Sequence, residues 1–237
     1  MKPTFYLTAL LLLLYSCGSL SGIHEGERLM PALGALGKAD KNLISEDFLF
    51  LGNPVISSPV ALSVRQHAFN RSSFKKFEDR NRFYEKKQDL QYTDSLPKPT
   101  YISLQFVDRI TLKGQLNEEE NSDVRKYLSK DNDCRMVSEV SLVLEEELSS
   151  MIMHAEQLQL ATDRGKFVLE LITRSDTKRI TVPAGAVFDY KLSGFCWDKD
   201  NYGNKQIAAI IPRGDHCPNG TERKANRLEN DKTLLKL

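Results

Sequence analysis

A regular alternation of apolar and polar residues in the second half of the chain most restricts the fold. In YISLQFVDRITLKG, Ile102, Leu104 and Phe106 share one parity with Ile110 and Leu112, and the other parity is mainly polar. A period of two indicates a strand that buries one face. Similar runs recur about every 8–14 residues, separated by Gly, Asp or Asn. This rhythm predicts a mainly β fold, an antiparallel meander, sandwich or small barrel with short peripheral helices.

The later runs refine this prediction. SMIMHAEQLQLAT and KFVLELITR are separated by Asp163-Arg164-Gly165, which predicts a tight hairpin. RMVSEVSLVLEEEL fits both a helix and a strand, and its neighbours favour a strand. Within SMIMHAEQLQLAT, His154 lies in strand parity with Leu158 and Leu160 and is therefore predicted to lie in a strand. Asp108 interrupts the apolar face of the first run. It could mark a bulge or a turn between two short strands, or it could be a buried acid.

The N-terminal stretch MKPTFYLTALLLLLYSCGSL determines where the chain is directed. Its apolar run, residues 5–15, is about half the roughly 20 residues that a membrane-spanning helix needs. A basic residue, an apolar middle and small residues follow one another, and this layout is typical of a secretory signal peptide. We therefore predict that residues 1–16 are removed and that the protein is exported.

The end of this leader, Leu14-Tyr15-Ser16-Cys17, resembles the lipobox of bacterial lipoproteins. The resemblance covers about the first 18 residues. It implies that Cys17 carries fatty acyl chains such as palmitate and attaches the protein to a membrane of the bacterial cell envelope, the outer membrane. More than one acyl chain is needed for stable anchoring. The alternative is an ordinary signal peptide, cut near Gly22, and a secreted protein.

The charge balance argues against nucleic acid as a partner. Lys2 is the only charged residue in the leader, so its removal leaves 32 basic and 32 acidic residues. A chain without net charge is not steered towards nucleic acid.

One segment, residues 65–97, departs from this balance. It is rich in Lys and Arg, and Phe74, Phe77 and Tyr84 lie near helical spacing. Ser72 or Ser73 could cap a helix there. We interpret the segment as a short amphipathic helix or a solvated linker.

Changes in composition divide the chain into five parts. Residues 1–16 are the signal peptide, residues 17–64 a flexible tether and residues 65–97 the basic linker or short helix. Two short apolar pieces of the tether, FLFL and PVISSPVALSV, could dock as edge strands or partner-binding segments. Residues 98–215 form the predicted β-domain, which is long enough for an independent core. Residues 216–237 are a polar C-terminal tail.

Three cysteines remain after Cys17. An oxidising compartment favours disulfides, and Cys196 and Cys217 flank a hairpin-like stretch, so we predict that they pair. Cys134 is then a free or buried thiol; the alternative is that all three are reduced. No CxxC spacing exists, so neither a zinc nor a redox site is predicted.

Residues suited to catalysis or metal binding are scattered. His154 is the candidate catalytic residue, although a histidine at such a position is more often packed and hydrogen-bonded. Asp198 and Asp200 begin a stretch similar to a calcium loop, but Tyr202 and Ala209 occupy positions that need oxygen ligands. A hairpin turn explains the same residues. No HExxH, GxSxG, P-loop or GxGxxG motif occurs, and no cofactor is predicted.

These observations favour a non-enzymatic, lipid-anchored envelope lipoprotein whose β-domain binds an envelope protein or a glycan. One alternative is an exported hydrolase that acts on glycan or peptide around His154. Another is a secreted adhesion-type protein, since Arg213-Gly214-Asp215 is an RGD tripeptide in a predicted turn.

Overall fold

A single antiparallel sheet organises the chain in the computed structural model, which describes residues 30–41, 46–82, 89–183 and 185–228. Within these ranges the sheet has ten strands. They are β1 (Leu36–Lys41), β2 (Glu46–Gly52), β3 (Val60–Ala68), β4 (Thr100–Phe106), β5 (Cys134–Leu142), β6 (Gln157–Asp163), β7 (Lys166–Ile172), β8 (Thr177–Ile180), β9 (Val187–Lys199) and β10 (Lys205–Pro212). The prediction of a mainly β, antiparallel fold is therefore confirmed.

The main path of pairing runs β10-β9-β5-β4-β3-β6-β7-β8. Strand β1 pairs with the N-terminal end of β5 and, on its other side, with β2. Among the described residues no ladder joins β8 to β10, so the sheet is open rather than closed into a barrel. The predicted hairpin between β6 and β7 is confirmed, with positive φ angles at Arg164 and Gly165, as a two-residue hairpin turn of type I′ requires.

Four short α-helices accompany the sheet in the described ranges: α1 (Arg71–Asn81), α2 (Arg109–Leu116), α3 (Ser122–Lys130) and α4 (Glu146–His154). The predicted helix in the basic segment is α1. Its N-cap is Asn70 rather than Ser72 or Ser73. The Asn70 side chain accepts a hydrogen bond from the backbone N–H of Ser73, and the Ser73 hydroxyl accepts one from the backbone N–H of Asn70.

Two apolar clusters lie on opposite faces of the sheet, because neighbouring strand residues point in opposite directions. The larger core contains alternate residues of the strands together with α2, α3 and α4. The smaller cluster is aromatic and lies under α1. Its buried members are Phe69, Phe74, Phe77, Val143 and Phe188.

The first predicted strand is too long. It ends at Phe106, and Asp108 begins a helix instead of marking a bulge or a buried acid. The Asp108 carboxylate accepts from the backbone N–H of Thr111 at 2.9 Å, and this hydrogen bond holds the pKa of Asp108 below its usual range. Ile110 and Leu112 share parity only by coincidence, since Ile110 is exposed and Leu112 is buried on α2.

The strand predicted around His154 is also wrong. Strand β5 ends at Leu142, and the chain then forms α4, of which His154 is the last residue. In RMVSEVSLVLEEEL the strand interpretation is therefore correct for residues 135–142, and only the last three residues, 146–148, belong to α4. Ile152 is buried in the main core, whereas His154 is exposed.

The domain is longer than predicted at both ends. Residues 36–41, 46–52 and 60–68 are strands of the sheet and do not belong to a tether. At the other end Ala225 and Leu228 are buried in the main core, so the tail packs on the domain at least to residue 228. The sequence of β1, LGKADK, is short and mainly polar, which hides this strand from periodicity.

Candidate anion-binding groove

Two adjoining cavities meet at Arg135, beside the N-terminal end of β5. Their volumes are about 620 and 440 Å³, and both also contain Asp133 in their walls. We call the combined feature the arginine groove. Its charged lining residues are Lys38, Lys130, Asp131, Asp133, Arg135, Arg213, Arg223 and Lys224, and its less polar lining residues include Leu49, Tyr127 and Leu192.

The groove concentrates positive charge that the whole chain lacks. Six of its lining residues are basic and two are acidic, a local net charge of +4, whereas the full sequence carries +1. One of the acids, Asp131, forms an ion pair with Lys38. A hydrogen bond from Lys38 holds the pKa of Asp131 below its usual range. Of the two acidic residues that line the groove, Asp133 is therefore the one left to oppose the positive charge of the arginines.

Arg135 lies at the centre of the groove. Its Nη1 donates to the backbone carbonyls of Asn132 and Cys134, each at 2.7 Å. A Cβ atom on Gly194 of the neighbouring strand β9 would lie 3.8 Å from Cδ and Nε of Arg135, so the arginine stem packs over this glycine. Within the described residues no carboxylate forms an ion pair with Arg135.

Neighbouring positive charges act on the Arg135 guanidinium. Burial lowers the pKa of the Arg135 guanidinium from its ordinary value, Asp133 opposes this effect, and the charges of Arg223 and Arg213 lower the pKa further. An anion bound beside Arg135, with Arg223 in one cavity or with Arg213 in the other, would offset this repulsion and accept charge-assisted hydrogen bonds.

The C-terminal segment brings Arg223 to the groove. Trp197 on β9 and Glu222 exchange two backbone hydrogen bonds, of 2.7 and 2.8 Å, next to Arg223. Arg223 itself donates to the backbone carbonyl of Asp215. The chain between β10 and this segment is held by a disulfide between Cys196 and Cys217, the pair expected from the sequence.

The RGD tripeptide forms one border of the same region. Arg213 follows β10 and lines the groove, Gly214 has a φ of +99°, and the Asp215 N–H donates to the Pro212 carbonyl at 3.2 Å. A glycine suits this left-handed conformation. The tripeptide is therefore an exposed turn, as predicted, whose arginine contributes to the groove.

The other predicted site residues lie elsewhere. Cys17 is outside the described residues. Cys134 is a buried free thiol, and burial raises its pKa to about 11, so it is protonated at neutral pH and is a poor nucleophile. His154 Nδ1 lies 2.8 Å from the backbone carbonyl of Ser150 in the last turn of α4. His154 does not line the groove, whereas Cys134 precedes Arg135 on β5 and lies in the wall beneath it.

The aspartates of the calcium-like stretch shape the turn between β9 and β10. The Asp200 carboxylate accepts from the backbone N–H groups of Tyr202 and Asn204 at 2.9 and 2.8 Å, and from the Asn204 side chain. Asp198 lies on β9 opposite Gln206. Across the described ranges, no three His, Cys, Asp or Glu residues are grouped as a metal site.

The arginines of the groove were not predicted as a site. Arg135, Arg213 and Arg223 are far apart in sequence or separated by a turn, and no motif connects them. Only Arg213 lay in a motif that sequence analysis considered. The pairing of β5 with β9, and of β9 with the C-terminal segment, brings the three together.

Comparison with known proteins supplies no family. No family model matches the sequence, and no curated protein or solved structure shows significant similarity to it. No helix in the described part of the chain combines the length and apolar character needed to cross a membrane. Functional inference therefore depends on the groove itself.

Proposed function

We propose that this protein is an exported lipoprotein, anchored by lipid on Cys17, whose β-domain binds an anionic group of an envelope partner in the arginine groove. The observation that carries this proposal is that three arginines line two adjoining cavities, with Arg135 shared by both and not paired to a carboxylate of the described residues. The function is binding rather than catalysis. The partner is an envelope protein or a glycan that carries carboxylate or phosphate groups.

The chemistry of arginine supports this ligand class. A guanidinium group is planar and presents donors in a fork that matches the oxygens of carboxylate and phosphate. Tyr127 and Leu49 border the groove and are 47% and 58% exposed, so an apolar part of the partner has a surface to contact. The hydrolase hypothesis finds no comparable support, because His154 is exposed and bonded to its own helix.

Replacement of Arg135 by glutamine is expected to weaken the binding of inorganic pyrophosphate at least tenfold. A hydrogen bond to a charged group contributes about 1.5–3 kcal/mol, and the substitution removes the central charge of the groove. The measurement is titration calorimetry on the full chain in nonionic detergent at low salt.

The matched control is Arg174→Gln. Arg174 has a side chain that is 92% exposed and ion-paired with Glu156, outside the groove. We expect the affinity of the Arg174→Gln variant for pyrophosphate to stay within about twofold of that of the unaltered chain, because surface charges are screened by solvent. Absence of pyrophosphate binding by the unaltered chain, or an equal loss in both variants, would contradict the proposed site.

Anchoring through Cys17 is tested separately. Mass spectrometry of the mature protein from a bacterial envelope is expected to find an N-terminal Cys17 with added acyl mass. Cys17→Ser should abolish that acylation and the membrane association. A free N-terminus at or beyond Gly18 would refute the lipoprotein assignment and support the secreted alternative.

A further inference from the structure

The middle of the edge strand β2 lacks the features that usually prevent strand edges from pairing. Among the described residues it pairs with β1 alone, so its outer edge faces no other strand. Its sequence, EDFLFLG, contains no Lys, Arg or Pro. Leu49 and Phe50 are 58% and 55% exposed, and Leu51 is also exposed. Natural proteins protect edges with charged residues, proline or bulges. Strand β2 begins with Glu46 and Asp47, and its register with β1 shifts near Leu51, so the regular apolar stretch suited to accept another strand is residues 48–50.

The backbone of β2 is arranged for such pairing. The Leu49 carbonyl lies 2.5 Å from the position that a Cβ atom on Gly37 would occupy, so it points towards β1. Successive residues of a strand direct their backbone groups to opposite edges. Phe48 and Phe50 therefore direct their N–H and C=O groups outward, where an added strand could bond to them.

The neighbouring charges indicate what kind of strand would bind. Leu49 lines the arginine groove together with Arg135 and Arg213, so a strand added along β2 would pass the rim of the groove. The net charge of the groove is positive, with six basic and two acidic lining residues. Charge complementarity favours an occupant that carries carboxylates at this point.

We infer that β2 and the arginine groove together bind an extended, acidic segment of a partner protein by strand addition. This inference rests on the proposed function, because it names the partner of the same groove. Backbone pairing with β2 holds the segment, its alternate apolar residues contact Leu49 and Leu51, and its carboxylates occupy the groove beside Arg135.

The probe is a fluorescein-labelled peptide of alternating threonine and valine that ends in two glutamates. Fluorescence anisotropy on the full chain in nonionic detergent measures its affinity. We expect methylation of alternate backbone nitrogens of the peptide to weaken binding at least tenfold, because it removes donors needed for pairing. Replacement of the two glutamates by lysines should weaken binding to a similar extent.

A variant of the protein tests the same edge. Phe50→Pro removes an outward N–H on an edge strand, a position where proline is tolerated. It is expected to lose peptide affinity at least tenfold while pyrophosphate affinity remains within twofold. The methylated peptide tests the edge without altering the protein, so the inference stays testable if Phe50→Pro does not fold.

Three outcomes would overturn the inference. The first is equal binding of the methylated and unmethylated peptides, which would show that only the carboxylates matter, as for a glycan ligand. The second is pyrophosphate binding without any peptide binding, which leaves the proposed function intact. The third is a homodimer, detected by light scattering and dissociated by Phe50→Pro, which would make a second copy of the chain the occupant of β2.

Discussion

Replacement of Trp197 by alanine is expected to lower the free energy of unfolding by about 3–5 kcal/mol, the usual cost of removing a buried tryptophan. Trp197 is 2% exposed and packs near Phe195, with ring centroids 6.5 Å apart. Its backbone pairs with Glu222, and its side chain lies in the wall beneath Arg135 and Arg223. The cavity left by the missing indole ring would therefore form directly under the arginine groove.

Circular dichroism during urea unfolding is the appropriate measurement, because Trp197 is the only tryptophan and its removal eliminates the intrinsic tryptophan signal. The control is Tyr202→Ala in the turn of the same hairpin. Tyr202 is 90% exposed, so we expect a change of less than about 0.5 kcal/mol. Equal destabilisation by the two substitutions would contradict the described packing of Trp197. A weaker affinity of Trp197→Ala for pyrophosphate is also expected.

Removal of the disulfide, by the double substitution of Cys196 and Cys217 with alanine, is expected to lower the free energy of unfolding by about 3 kcal/mol. The two cysteines are 21 positions apart and close a loop that contains all of β10. In the loop-closure model the bond restricts the unfolded chain. The bond also holds the segment that carries Arg223, so the affinity of the groove for pyrophosphate should decrease.

A reductant distinguishes loss of the bond from damage by the substitutions. Thermal unfolding of the unaltered chain, followed by circular dichroism, should shift to the temperature of the double variant when a phosphine reductant is added. The double variant should not respond, because its remaining thiol in the described domain, Cys134, is buried and unpaired. An unchanged unfolding temperature after reduction would show that the disulfide does not stabilise the fold.

Sequence reasoning succeeded where the signal was local. The hairpin at Arg164 and Gly165 was predictable because two short apolar runs are joined by residues suited to positive φ. The helix in the basic segment was recognised by the spacing of Phe74 and Phe77, both buried. The disulfide between Cys196 and Cys217 followed from export and from the position of the two cysteines around one hairpin.

It failed where a local pattern has two interpretations or none. Asp108 changed the chain from strand to helix by capping, which apolar parity alone does not reveal. His154 was predicted to lie in a strand because it shares strand parity with Leu158 and Leu160, but it is the last residue of helix α4. Strand β1 was missed because its sequence, LGKADK, is short and shows no alternation of apolar residues, whereas FLFL, noted as a possible edge strand, lies in β2.

The amino-acid sequence was sufficient for the class of fold and several of the turns, because each depends on neighbouring residues. The arginine groove required the folded chain. Arg135 comes from β5, Arg213 from the end of β10 and Arg223 from the segment beyond the disulfide. The local conformational preferences of the chain do not bring residues of like charge together. Pairing of distant strands holds these guanidinium groups together, and the stability of the whole core offsets their repulsion.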